Sequence, residues 1–268
     1  MLCKDVMAVL EENFARSYAM DWDNVGLLVG REEKPVRRIY VALDATDEVI
    51  DEAARWGADL LVTHHPLIFS GMKRITGQDF IGRRVLSLAR RDIAYYAMHT
   101  NYDVVRMGKL AADRLKLMRQ DVLEVTCEGQ QPDHGENEVC REGIGRTGYL
   151  AEPVPLEDCC EWVKKAFSLE AVRVFGDLKK PVHKVAVCPG SGKSVIRDAL
   201  GRSADVLITG DMGHHEGIDA AAQGMAVIDA GHYGLEYIFV EDMKEYLQEK
   251  ITGAEVLAAP VKHPYVNL

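Results

Sequence analysis

The chain has 268 residues, 47% of them apolar and 28% charged, which suits one large domain or two modest ones and excludes a disordered or fibrous protein. Its 32 Lys and Arg against 42 Asp and Glu give a net charge of −10. That balance argues against a nucleic-acid or anionic-membrane surface, both of which need clustered positive charge, but leaves room for a small anionic substrate in a pocket made positive by bound cations.

The N-terminus reads directly into an amphipathic helix over Val6 to Ala15, with no secretory pattern, and no run approaches the ~18 apolar residues of a membrane span. Six cysteines (Cys3, Cys127, Cys140, Cys159, Cys160 and Cys188) form no C-x-x-C pair, so neither a disulfide framework nor a thiolate zinc site is indicated and the expected compartment is the reducing cytoplasm. Turn formers at Met20–Gly26 precede a short apolar stretch, Leu27–Gly30. Arg38 to Asp44 then reads as a strand ending in an acid. Thr46 is placed to cap a helix that runs to Trp56 and stops at Gly57, and Asp59–Pro66 is a buried strand halted by proline. A helix over Phe80–Arg91, a strand over Ile93–Met98 and a helix over Met107–Leu117 follow. Alternation of this kind predicts an α/β fold with mixed sheets.

Offsetting the chain by 146 positions aligns Arg38–Thr63 with Lys184–Thr209 without a gap, with identities that include Val41/Val187, Ile50/Ile196, Asp59/Asp205 and Thr63/Thr209. Ile93–Ala97 fits beside Met225–Asp229 at a slightly shorter offset. The chain therefore reads as a duplicated α/β unit. The expected organisation is a first lobe over 1–120, a connecting segment over 121–182 and a second lobe over 183–268. Within the connecting segment, Glu128–Gly145 is polar and Gly-rich and reads as a mobile loop or an insertion near a lobe boundary. Cys159 and Cys160 read as packing residues on a helix from Leu156 to Phe167.

Histidine pairs follow the matching strands of both copies, His64-His65 in the first and His214-His215 in the second. Ligands gather at the carboxyl ends of strands in open α/β sheets, and at Thr63-His-His-Pro the chain leaves regular pleating, so both imidazoles can turn to one cleft. Asp103 also follows a strand, where an aspartate can equally serve a turn. His232 and Glu236 are four residues apart at the start of a helix, on one face, able to reach one metal or to pair with each other. His64, His65, Asp103, His232 and Glu236 together are too many ligands for one tetrahedral zinc and too few to saturate two ions. That count predicts two divalent ions with open positions, the mark of a catalytic rather than a structural site. Zinc, iron and manganese all suit such donors. Gly190, Ser191, Gly192 and Lys193 form a Gly-rich turn that fails the Walker pattern, where Val187 stands in place of glycine. It could hold an anion or be a plain tight turn. An aromatic content of 7% offers no stacking platform for bases.

Trp22-Asp-Asn-Val-Gly-Leu-Leu-Val-Gly, Thr63-His-His-Pro-Leu-Ile-Phe, His99-Thr-Asn-Tyr-Asp, Gly190-Ser-Gly, Thr209-Gly-Asp and Gly231-His-Tyr-Gly-Leu-Glu occur in the order found in the NIF-three-like dinuclear-metal family, also labelled GTP cyclohydrolase I type 2, which the chain resembles over nearly its whole length. The resemblance implies two intertwined repeats of an α/β motif, a toroidal homohexamer, and the same five metal ligands with Glu236 bridging the ions. It also implies a hydrolase that opens the guanine imidazole ring of GTP and releases formate; for such a reaction in this chain, His99 or His215 is the expected proton shuttle and Gly190–Lys193 the expected triphosphate holder. A metal-dependent phosphoester or amide hydrolase, and a non-catalytic metal-binding regulatory protein, are the alternatives.

Overall fold

The computed structural model describes residues 1–130 and 139–266. In chain order the elements are α1 (Cys3–Asn13), β1 (Gly26–Val29), β2 (Arg38–Ala42), α2 (Asp47–Trp56), β3 (Leu60–Thr63), α3 (Phe80–Arg90), β4 (Ala94–Ala97) and α4 (Thr100–Tyr102). A π-helical turn (Asp103–Met107) leads to α5 (Gly108–Arg114), β5 (Met118–Gln130), β6 (Val139–Pro155), α6 (Leu156–Phe167), β7 (Arg173–Phe175) and β8 (Pro181–Ser191). The chain closes with α7 (Ile196–Gly201), β9 (Val206–Gly210), α8 (His214–Ala222), β10 (Ala226–Asp229), α9 (His232–Glu236), α10 (Ile238–Lys250) and β11 (Glu255–Ala258). It divides into two compact units, Met1–Tyr102 with Tyr237–Val261 and Asp103–Glu236 with Lys262–Leu268.

The first unit carries a five-stranded sheet in the order β1-β4-β3-β2-β11, parallel except for β1. Local chemistry sets its helices as the sequence predicts. The Thr46 hydroxyl accepts from the Val49 amide at 3.2 Å, Asp47 and Glu48 occupy the first turn of α2, and Gly57 ends it in the left-handed region. The second unit carries a six-stranded sheet, β5-β6-β8-β9-β10-β7, whose central β8, β9 and β10 are parallel. Each unit has its own apolar core, one around Tyr40, Leu61, Leu88 and Tyr95 and the other around Leu123, Val195, Leu207 and Val227.

The duplication persists at the level of hydrogen bonds. Ile39 faces Leu60 across β2 and β3, and Val185 faces Val206 across β8 and β9, each 146 positions on. The Asp59 carboxylate accepts from the Arg37 and Arg38 amides at 2.8 and 3.0 Å, and that of Asp205 accepts from the His183 and Lys184 amides at 2.9 and 2.8 Å. These two aspartates therefore fix the start of the central strand in each copy, which explains their identity in the alignment.

The segment 128–145 departs from expectation. Its described parts are not loop: 128–130 and 139–145 belong to the antiparallel pair β5/β6, with Glu128 opposite Arg141 and Val125 opposite Gly143, while the remainder lies outside the described residues. Glu142, Gly143 and Gly145 from this stretch are used within the sheet. The buried Arg146 guanidinium donates to the carbonyls of Gly143 and Gly145 at 2.9 Å and to the Glu142 carboxylate at 3.0 Å. Cys3, Cys127, Cys159, Cys160 and Cys188 are thiols, and burial raises those of Cys159 and Cys160 on α6. Among the described residues no helix is long and apolar enough to cross a membrane.

Candidate metal centre

In the first unit β3 is wholly buried and ends at Thr63. Burial holds the Tyr95 phenol protonated, and its hydroxyl lies 2.7 Å from the Thr63 hydroxyl and donates to the His65 carbonyl at 2.9 Å. The same oxygen accepts from the Leu67 amide at 2.8 Å, so one phenol pins the whole Thr-His-His-Pro turn. His64, fully buried, packs its ring against His65, Tyr102 and Phe239 with centroids 4.9, 6.1 and 5.2 Å away. His64, His65 and His99 each present one ring nitrogen within 4.8 Å of the others, a set able to hold a metal ion.

Carboxylates orient two of these rings. His65 Nδ1 is 2.8 Å from Asp44 Oδ1, and His99 Nδ1 is 2.9 Å from Asp23 Oδ1. A carboxylate at Nδ1 fixes the tautomer and leaves Nε2 as the nitrogen for a metal or a proton, the arrangement typical of metal-ligating histidines. Burial alone would raise the Asp23 pKa, but hydrogen bonds from His99 and from the Thr100 hydroxyl and amide outweigh it and hold the carboxyl at about 2. A folded pKa below the unfolded value gives stability above pH 4 that is lost as the pH falls through about 2. Asp23→Asn should therefore cost on the order of 2 kcal/mol at pH 6, with the gap to wild type closing as pH drops from about 5 toward 2. Denaturant melts across that range check it, and a gap independent of pH contradicts it.

In the second unit His232 and Glu236 sit on α9 with His232 Nε2 2.9 Å from Glu236 Oε2, and His232 Nδ1 is 2.8 Å from Asp211 Oδ2. Asp103 opens the π-helical turn, a rare geometry common at functional sites. Its carboxylate lies within 4.8 Å of that of Glu236. Burial, then the charges of Asp103 and Glu236, push the Cys188 thiol far above its usual range. Asp229 holds this region in place, accepting from the Met212 and Gly231 amides at 3.0 Å and from Arg173.

Two glycines have steric reasons. Gly190, with φ +75°, stands where a Cβ would run into Glu236 Oε1, and at Gly210 a Cβ would overlap the backbone of Gly231 and His232. Gly190 and Ser191 end β8, and Gly192 and Lys193 follow in the turn before the six-residue α7. His215 lies exposed in the first turn of α8, outside the metal-capable groups found among the described residues. The duplication explains the difference between the copies: His64 and His65 align with Gly210 and Asp211. The second copy thus carries its imidazole one strand later, on α9.

The roles of Asp23, Asp44 and Asp211 as partners of ring nitrogens are not legible in the sequence, whose only signal is an acid at a turn or strand end. Nor does the low aromatic content disclose that Trp22, Phe69 and His99 gather on one face of the first unit, with Trp22 and Phe69 centroids 5.7 Å apart.

Residues 1–264 match the family described as Duf34/NIF3 (NGG1p interacting factor 3). A Clostridium acetobutylicum protein named GTP cyclohydrolase 1 type 2 homolog is 35% identical over 91% of this chain and 89% of its own length. A Clostridium perfringens protein of the same name is 32% identical over 94% and 93%. The crystal structure of a Bacillus cereus protein related to NIF3 superposes with a TM-score of 0.89 at 26% identity, covering 100% of this chain and 99% of the other. With its duplicated α/β architecture and its histidine and carboxylate clusters, the chain belongs to the Duf34/NIF3 family.

Proposed function

We propose that the chain is a metal-dependent hydrolase in which His64, His65, Asp103, His232 and Glu236 hold two divalent ions, and that it acts on a nucleotide in the manner the name GTP cyclohydrolase 1 type 2 homolog gives its relatives. The observation that carries this reading is the carboxylate on Nδ1 of His65 and of His232, which leaves Nε2 of each ring as the nitrogen for a metal; that of His232 lies 2.9 Å from Glu236 Oε2, another of the five proposed ligands. Divalent ions held by this donor set would supply Lewis acidity to a bound substrate.

The rest of the chemistry belongs to side chains. Asp23, ionised at neutral pH, accepts the Nδ1 proton of His99 and leaves Nε2 as the atom that takes or returns a proton. Asp44 and Asp211 do the equivalent positioning for His65 and His232. Family resemblance supports a toroidal homohexamer, and the thiols suit a cytoplasmic protein. A metal-defined assay with GTP, its product identified by mass and pterin fluorescence beside a panel of phosphoesters, tests the hydrolase: turnover that disappears in His65→Ala supports it. Stoichiometric metal with no turnover in any metal form favours the regulatory alternative. Asp211→Asn should weaken metal binding roughly 10- to 100-fold while the fold is retained. Competition with a chelating dye measures this, and unchanged affinity removes Asp211 from the centre.

A further inference from the structure

Trp22 and Phe69 are large apolar side chains left 60% and 52% exposed beside the His64–His65–His99 group. Their centroids are 5.7 Å apart, and the His99 ring stands edge-on to both at 6.0 and 6.4 Å. Neither is a loose surface residue, because the positions next to them are tied down by buried or half-buried polar bonds. Asp23 beside Trp22 accepts from His99 and Thr100, and the Met20 amide donates to the Thr100 hydroxyl at 2.9 Å. The Asn24 side-chain Nδ2 donates to the carbonyl of Ile68, next to Phe69, at 2.6 Å, and so links the two loops. A backbone anchored this way on both loops keeps the two rings side by side, so less freedom is lost when a flat partner lies on them, which favours binding.

We infer that Trp22 and Phe69 form a stacking platform for the base of a nucleotide, presenting the edge of that base to His99 and the histidine cluster. The inference rests on the reading of that cluster as a metal centre and names the residues that recognise the substrate. A heteroaromatic ring fits better than a cationic ligand, since a centre that holds divalent ions repels a second cation. Lys73 and Arg74, exposed on the stretch that follows Phe69, give the charge that phosphates require. A base stacked on tryptophan is held without regard to its hydrogen-bonding pattern, so the platform supplies affinity for purines over pyrimidines by ring area.

Calorimetry and tryptophan fluorescence on the full-length protein, with GTP, UTP and tripolyphosphate as probes, test this in wild type, Trp22→Ala, Trp22→Phe and Phe69→Ala. The expected result is GTP bound more tightly than UTP, a loss of about tenfold for GTP in Trp22→Ala, recovery of most of it in Trp22→Phe, and tripolyphosphate affinity the same in all. Metal content, measured in every variant, separates the two ideas. If no variant holds metal the hydrolase reading fails, and the ratio of GTP affinities in wild type and Trp22→Ala still decides the platform. Equal GTP affinity in wild type and Trp22→Ala overturns the platform, as does absence of GTP binding by wild type. A fall in mass by light scattering for Trp22→Ala also overturns it, because the surface would then be covered by a second copy of the chain.

Discussion

Gly210→Ala is expected to destabilise the protein by about 2 kcal/mol or more and to abolish its metal uptake. Gly210 ends β9, and a Cβ there would overlap the carbonyl carbon of Gly231 and the amide nitrogen and Cα of His232. These are backbone atoms at the start of α9, so nothing as cheap as a side-chain rotation relieves the overlap, and inserting atoms into a packed region costs about 1–3 kcal/mol or more. Relief requires α9 to move, and with it His232 and Glu236. The control is Gly201→Ala, at the end of α7, where a Cβ meets nothing within 4 Å. There the change should be neutral or stabilising by up to ~1 kcal/mol. Urea melts and metal analysis of both variants check the pair, and equal stabilities would contradict the steric account.

Glu236→Gln should lose the metal-dependent part of the protein's thermal stability. Glu236 is 4% exposed and bonded to His232 Nε2, and its carboxylate lies close to that of Asp103. If it bridges two ions, the amide keeps the shape but removes the charge that lets two cations sit together, so the second ion is lost first. An ion at a hundredfold excess over its Kd adds about 2.7 kcal/mol to stability, and that increment should vanish. Glu241→Gln, on the exposed side of α10, should change stability by no more than about 0.5 kcal/mol. Melting with and without added metal reads both. Equal behaviour of the two variants would remove Glu236 from the centre.

The strands, α2 with its Thr46 cap and the internal repeat were legible because each depends on local signals or on self-similarity. Asp59 and Asp205 illustrate this, since identical residues do identical work in both copies. The β5/β6 pair was not legible, because its stability comes from cross-strand register and from Arg146 finding partners inside the sheet rather than from apolar alternation. At the site, the residue types and their strand-end positions could be read from the chain. What could not be read is which acid meets which ring: Asp23 and His99 are 76 positions apart, and Asp44 and His65 are 21. Pairing of this kind is a property of the sheet order, as is the approach of Trp22 to Phe69.

The central claim is that the five proposed ligands hold a pair of ions, and the count of ions per chain tests it most directly. Protein loaded with excess divalent metal, desalted and subjected to elemental analysis should retain about two ions per chain, with loss in both His65→Ala and His232→Ala. A single tightly held ion, unaffected by His232→Ala, would contradict it.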